Sequence, residues 1–442
     1  MERSVSKLPS GCQPTPEGPP EEAAGKGARL GFIDDARGVA VVLMILWHSI
    51  DAWLIPGLES GRGWDSAHFL GGLAAPAFLF LAGVGVAMKA SADARKGTDV
   101  RVTTRGLLGR GMLILVLGYV LRLQMWLLDG LAIASLHAAR AWLPMALGLL
   151  GLGLAAHRFG HARPAWRQLL VGAPLFGLGV YQLVQIAPHR IPGLLRVDVL
   201  QCIGASICLV VLVGARLGSF RRPWRALALA IPLALITSWV ASSLPGSIPA
   251  PIAAYLARWP TPAGVQPFAM FPLLPWVAYA LAGAALGVHL HRDASPQAIL
   301  RITLLGAALA CVSSEALPAI HRLVSEQPWL AKLARASFRV GLLMVLLGVM
   351  RATIGRVRRS PLRVLGRASL LAYWVHLELV YGIAGGRWKS SLSYPEWLLS
   401  LLLLSALMGA LAWLRLYPLA AWLRRRRSLA RAEGRRIETR AQ

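Results

Sequence analysis

The chain has 442 residues, 56% hydrophobic and only 15% charged, with a formal net charge of +27 and a mean hydropathy of +0.56. A soluble domain carries about 25% charged residues, and a single soluble core stops growing near 250–300 residues, so a soluble globule is excluded and lipid is implied as the solvent. The positive charge sits on arginines flanking apolar runs, where it orients helices and meets anionic headgroups, so it does not point to nucleic acid.

Residues 1–30 are rich in Pro, Gly, Glu and Ser and read as a disordered cytoplasmic tail with no apolar signal region. Continuous apolar runs then follow, such as 111–121 and 397–412. They lack the strict alternation of a membrane barrel, so they read as helices that satisfy their own backbone. Twelve spans are expected, near 35–56, 69–90, 104–121, 141–157, 168–187, 196–214, 223–243, 271–289, 297–315, 340–355, 363–384 and 397–422. With the N-terminus inside, the inner loops hold 20 Lys/Arg against about 12 in the outer loops. The terminal tail 423–442, opening on Arg424-Arg425-Arg426-Arg427, then also falls inside. The expected fold class is an all-α polytopic transmembrane helix bundle of about 12 helices with both termini cytoplasmic. The segment 244–270, with Trp259, is the longest outer connection. It reads as a plain connector, with a cover over an outward-opening site as the other reading.

Ionisable side chains inside membrane helices are costly and mark candidate sites. The first span carries Asp34, Arg37, Met44 and His48. Arg37 and His48 are eleven residues apart, hence within about 20° of one helix face and about 16 Å apart along the axis. A charged pair at the cytoplasmic interface suits a phosphate-bearing donor. A histidine deeper in the span suits a general base. The bland alternatives are an arginine that only sets topology and an aspartate that only neutralises it. Near 369–382, His376 lies within a span with Tyr373 one turn before it; a histidine satisfied by a helix-to-helix hydrogen bond is the alternative. Arg196, Asp198 and Gln201 open another span, with Arg122 and Gln124 closing the third span on the same side. They read as an acceptor-side wall, or as a helix cap and snorkelling end residues. The run Gly71–Gly85 around Pro76 reads as helix packing. Cys12, Cys202, Cys208 and Cys311 have no metal-ligand spacing, and no metal is expected.

Taken in order, these residues resemble a known family. Ile33-Asp34-x-x-Arg37-Gly38 with Met44 and His48, and Gly72-x-x-Ala75-Pro76-x-Phe78-x-Phe80-x-Ala82-Gly83, resemble the first two helices of bacterial relatives of heparan-α-glucosaminide N-acetyltransferase. So do Arg196-Val197-Asp198-Val199-Leu200-Gln201, Phe271-Pro272-Leu273-Leu274-Pro275-Trp276 and Tyr373-Trp374-Val375-His376. Arg37 with ten residues before His48 is similar to the related acyltransferase-3 branch. The resemblance covers about residues 30–385. It implies a transmembrane acyltransferase domain over 31–422 that moves an acyl group, acetyl in the first instance, from cytosolic acetyl-CoA to a sugar or glycan acceptor across a cell membrane, the bacterial inner membrane in the first instance. It leaves a homodimer open.

On this reading Arg37 binds the donor, Asp34 orients it, and Asp198, Gln201, Arg122 and Tyr373 line the acceptor side together with His376. Animal members carry the catalytic histidine in the outer loop after the first helix, where this sequence has Arg62 and, later, His68. His48 and His68 therefore both stand as candidate bases, with His48 preferred for its depth. A transporter without covalent chemistry is the rival class, although no paired, interrupted half-repeats are visible.

The charge asymmetry makes a direct prediction. Alkaline-phosphatase fusions after residues 62, 258 and 388 should be active, and fusions after 97, 220 and 357 inactive. Activity at 97 or 357 would invert the orientation.

Overall fold

In the computed structural model, the structure describes residues 30–129, 136–186, 191–217, 222–235, 250–256, 269–323, 328–354, 360–382 and 385–419, with 188 and 357 singly. The N-terminal tail, the Arg424–Arg427 run and most of the 244–270 segment lie outside the described residues. Every described element is helical. The only β pairings among the described residues are isolated bridges, Leu54 with Leu392 and Val197 with Ala269.

The helices are α1 (Gly31–Trp53), α2 (Arg62–Gly71), α3 (Ala74–Arg95), α4 (Val100–Asp129), α5 (Leu136–Gly160), α6 (Trp166–Ile186), α7 (Ile191–Leu194), α8 (Val199–Leu217), α9 (Pro223–Leu235), α10 (Ala250–Leu256), α11 (Leu273–Arg292), α12 (Pro296–Leu323), α13 (Pro328–Thr353), α14 (Pro361–Arg367), α15 (Ser369–Tyr381) and α16 (Tyr394–Leu414). Among the described residues, nine helical segments are long and apolar enough to cross a membrane. They correspond to nine of the twelve expected spans. The other three differ for visible reasons. α1 is about 34 Å long at 1.5 Å per residue but carries Asp34, Asp35 and Arg37 at one end and His48 and Asp51 at the other. α9 has 13 described residues. The segment 363–384, continuous by hydropathy, is broken at Ala368 (φ −108°, ψ 21°) into α14 and α15.

Small residues set the helix spacing. A Cβ on Gly83 of α3 would strike the Ala280 carbonyl of α11, and one on Gly283 of α11 would strike the Phe80 carbonyl of α3. The two backbones touch because neither helix has a side chain there, the usual basis of membrane helix packing. The packing expected of the Gly71–Gly85 run is thus realised against α11. Gly38 of α1 meets the Leu362 backbone and Gly366 of α14 meets the Asp34 carbonyl in the same way.

Four apolar clusters result among the described residues, the smallest of them Val197, Ala254 and Ala269. One joins α1, α14, α15 and α16 with the ends of α4 and α8. A second joins α3, α8, α9 and α11. A third joins α4, α5 and α6. Large side chains left exposed, such as Leu169, Leu170 and Val171 on α6, Leu300, Leu304 and Leu305 on α12, and Leu398, Leu399, Leu402 and Leu403 on α16, form the lipid-facing rim.

Both ends of α1 are clamped. Asp35 is fully buried, and Arg363 of α14 donates to its Oδ2 from Nη2 at 2.7 Å and from Nε at 3.3 Å. At the other end the carbonyls of Ala52 and Trp53, left without partners by the end of the helix, accept from the backbone N–H groups of Ser390, Ser391 and Leu392 at 3.0, 3.0 and 2.8 Å. Trp397 of α16 adds a bond from its indole N–H to Ser49 Oγ at 3.0 Å.

Removing one partner of a buried ion pair costs about 3–5 kcal/mol. Arg363→Ala is therefore expected to destabilise the detergent-purified protein strongly, and Asp35→Asn/Arg363→Ala to recover part of the loss. Thermal melting checks both; an Arg363→Ala protein melting with the wild type would show that the clamp carries no stability.

Candidate functional site

α1 is the axis of the site. At its first turn, Arg37 Nη1 donates to Asp34 Oδ1 at 2.9 Å, and Nη2 donates to the Leu81 carbonyl of α3 at 3.2 Å. Gly85 makes this approach possible, since a Cβ there would lie 2.9 Å from Nη2. Asp34 is buried, whereas the Arg37 side chain keeps 23% of its surface exposed. The pairing expected between Asp34 and Arg37 is present, and the guanidinium also pins α1 to α3. Met44, on the same stripe, is buried core.

Three turns further along, His48 enters a cluster built by α1 and α15. His48 Nδ1 lies 3.0 Å from the Tyr381 hydroxyl, and that hydroxyl donates to Asp51 Oδ2 at 3.0 Å. The His48 and His376 rings are 5.3 Å apart between centroids, and the Tyr373 and His376 rings 5.8 Å. His376 is fully buried. Its Nδ1 lies 2.8 Å from the Ala372 carbonyl one turn back, and so donates to it, while its buried Nε2 has no protein partner. The alternative reading, a hydrogen bond to another helix, is not what His376 Nδ1 makes; its bond stays within α15.

The polar group at the start of α8 stands against the same core. Asp198 pairs with Arg122 of α4 and lies 3.9 Å from Arg196 Nε. Gln201 Oε1 accepts from the Asp198 backbone N–H at 3.1 Å, the reciprocal half of a capping box one turn into the helix. Gly118 of α4 leaves room for the Gln201 amide, whose buried Nε2 has no partner. Asp198 and Arg122 lie within electrostatic range of Tyr373, and Asp198 of Tyr381. Trp374 of α15 donates to Gln124 Oε1 of α4 at 2.8 Å, tying the two elements together. Arg122, Asp198 and Gln201, the residues expected to line an acceptor side, thus stand near the helix that carries His376, and Gln201 acts as a cap.

His68 is elsewhere. It sits in α2, not in a loop, stacked between Trp64 and Trp47 with ring centroids 4.0 and 4.5 Å away. Its Nε2 is buried without a partner, and no hydrogen bond or ring contact joins it to His48 among the described residues. Two members of the cluster escaped sequence reasoning. Asp51 was legible as the acidic residue one turn after His48. Tyr381 was not, because only the fold brings it across from 333 residues away. Among the described residues no three His, Cys, Asp or Glu side chains group as metal ligands.

A multi-pass helical membrane protein with a histidine and its polar partners drawn together on a central helix is the class this fold and site define. Residues 29–319, about two thirds of the chain, match the family model described as heparan-alpha-glucosaminide N-acetyltransferase, catalytic, and the chain belongs to that family, a family of membrane acetyltransferases. No individual curated protein matches it. The matched residues include α1, α2, α4 and α8, hence both candidate histidines His48 and His68. They end before α14 and α15, so His376, Tyr373 and Tyr381 are additions from the rest of the chain.

If the Gln201 carboxamide acts mainly as a cap, Gln201→Ala should lower stability by about 1 kcal/mol, the usual cost of losing a capping side chain. A small drop in melting temperature with unaltered yield is the expected result; a protein that no longer purifies would assign the side chain a larger structural share.

Proposed function

We propose that the protein transfers an acetyl group from cytosolic acetyl-CoA to an amino or hydroxyl group of a sugar on the far side of the membrane, with His48 as the base. The observation that carries this reading is the His48–Tyr381–Asp51 hydrogen-bonded chain beside His376. It sits on a helix whose other end presents a partly exposed arginine. In the proposed step His48 removes the proton from the acceptor as its N or O attacks the thioester carbonyl carbon. The C–S bond then breaks, and the CoA sulfur leaves and takes up the proton. A transient acyl-imidazole on His48 would divide the same transfer into two displacements.

Arg37 would hold the donor's phosphates from the cytoplasmic end, with Asp34 holding the guanidinium in place. The length of α1 between Arg37 and His48, about 16 Å, matches the need to keep a nucleotide at one end and its thioester near the other. Asp198, Gln201, Arg122 and Tyr373 would line the acceptor side, with the fully buried His376 backing His48. His48 is preferred to His68 because His68 packs against the indole rings of Trp47 and Trp64 and, among the described residues, its buried Nε2 has no hydrogen-bond partner.

The test is the initial rate of transfer from labelled acetyl-CoA to a panel of amino sugars by the detergent-purified protein. His48→Ala should lose about 10²–10⁴ in rate, the range for removal of a general base, at unchanged melting temperature, while His68→Ala keeps most activity. The reverse pattern would move the chemistry to His68. Arg37→Ala should weaken acetyl-CoA binding by about 1.5–3 kcal/mol, the worth of a charge-assisted hydrogen bond, with partial recovery in Arg37→Lys because a fork becomes a point charge. Unchanged affinity by isothermal titration would leave Arg37 as a helix-packing residue.

A further inference from the structure

We infer that Tyr381 and Asp51 are positioning residues that fix the tautomer of His48 and so designate Nε2 as its reacting nitrogen. The inference rests on the proposed role of His48 and extends it. It follows from counting protons. A phenol has one O–H, and that of Tyr381 is directed to Asp51 Oδ2 at 3.0 Å. An ionised carboxylate only accepts, so the phenol is the donor in that bond. The phenol oxygen can then only accept from His48 Nδ1, 3.0 Å away. The proton of the neutral imidazole therefore resides on Nδ1, and Nε2 carries the lone pair.

The surroundings support the assignment. His48 is faced by Asp51 on its own helix and by His376 and Tyr381 from α15, while Tyr373 stacks on His376. The Arg122–Asp198–Arg196 group of α4 and the α8 entrance stands in electrostatic range of Tyr381. The Nδ1–H of His376 is committed to the Ala372 carbonyl and so is turned away from His48. The carboxylate that complements a positive charge developing on His48 is thus Asp51, acting through the phenol. Asp51 is exposed, whereas Trp53, two residues on, is buried and bonded to the Val380 carbonyl at 3.2 Å. That bond joins the helix end bearing Asp51 to the residue before Tyr381 and so holds the three groups in register.

α1 and its terminus are already tied by the backbone bonds to Ser390–Leu392 and by Trp397. A side-chain relay between an exposed aspartate and a half-buried histidine adds orientation more than stability. This resembles the logic of an aspartate that orients a catalytic imidazole, where the amide replacement fails by imposing the wrong tautomer.

Three variants and one spectroscopic signature test it. Tyr381→Phe removes the acceptor for Nδ1–H and should lower kcat about 10–100-fold, the usual range for groups that orient a functional imidazole, with KM for acetyl-CoA within twofold. Asp51→Asn should lose at least as much. Its amide N–H donates to the phenol oxygen, the phenol turns its proton to His48 Nδ1, and the imidazole proton is driven to Nε2. Asp51→Glu, which restores a carboxylate, should recover part of the rate. The ring-nitrogen chemical shifts of ¹⁵N-histidine-labelled protein, with the His48 signals identified by their loss in His48→Ala, should show Nδ1–H in the wild type and a shift toward Nε2–H in Asp51→Asn. Wild-type His48 protonated on Nε2, or Tyr381→Phe with wild-type kcat, would overturn the relay. The nitrogen signature needs no turnover, so failure of the base assignment would appear separately, as a fully active His48→Ala protein.

Discussion

The structure is organised around one constraint: a charged side chain drawn into an apolar bundle must find its counter-charge there. α1 meets this constraint twice within four residues. Asp35 is bound by Arg363 of α14, and Asp34 by Arg37, which in turn bonds to the backbone of α3. Because each pair reaches a different element, the charges that would be a liability on an isolated helix become the fasteners that place α1 between α3 and α14. The break at Ala368 fits the same scheme. α14 must lie flat enough against the start of α1 for Gly366 to touch the Asp34 carbonyl and for Arg363 to reach Asp35, and α15 must then run at the position that delivers His376 and Tyr381 to His48.

Glycine supplies the complementary half of that placement. Ion pairs orient helices, but the closeness of α3 to α11 and of α1 to α14 depends on backbone meeting backbone at Gly83, Gly283, Gly38 and Gly366. Without a hydrophobic driving force between helices in lipid, close van der Waals contact is what holds such pairs together. Gly85 joins the two devices, since its missing side chain is the space the Arg37 guanidinium occupies.

Much of this was legible in the chain itself. Hydropathy located the helices, because membrane spans need continuous apolar length, and helical periodicity placed Arg37 and His48 on one stripe. Hydropathy could not see the α14–α15 break. The residues 363–384 remain apolar across it, and the contact that α14 makes with α1, Arg363 with Asp35, spans 328 positions of the chain. The capping role of Gln201 was within reach, as an acidic residue followed three positions later by an amide is a helix-start pattern, and a cap stood beside the acceptor-side wall as a reading of this group. The packing of His68 between Trp47 and Trp64 follows from α2 being a helix, with Trp64 and His68 four residues apart on one face. A segment expected to be a loop gave no reason to look for that spacing.

On the proposed reading, the arrangement along α1 lets one helix serve both the donor end and the acceptor end of the transfer. Its first turn is neutralised by pairs that leave the Arg37 side chain partly accessible, and its last turns are held by backbone bonds that leave His48 and Asp51 available to α15. Between them lie Ala40, Val41, Met44 and Ile45, all buried. On the proposed reading, a donor held at the partly exposed Arg37 would need a thin extended arm to bring its acyl group the roughly 16 Å along α1 to His48.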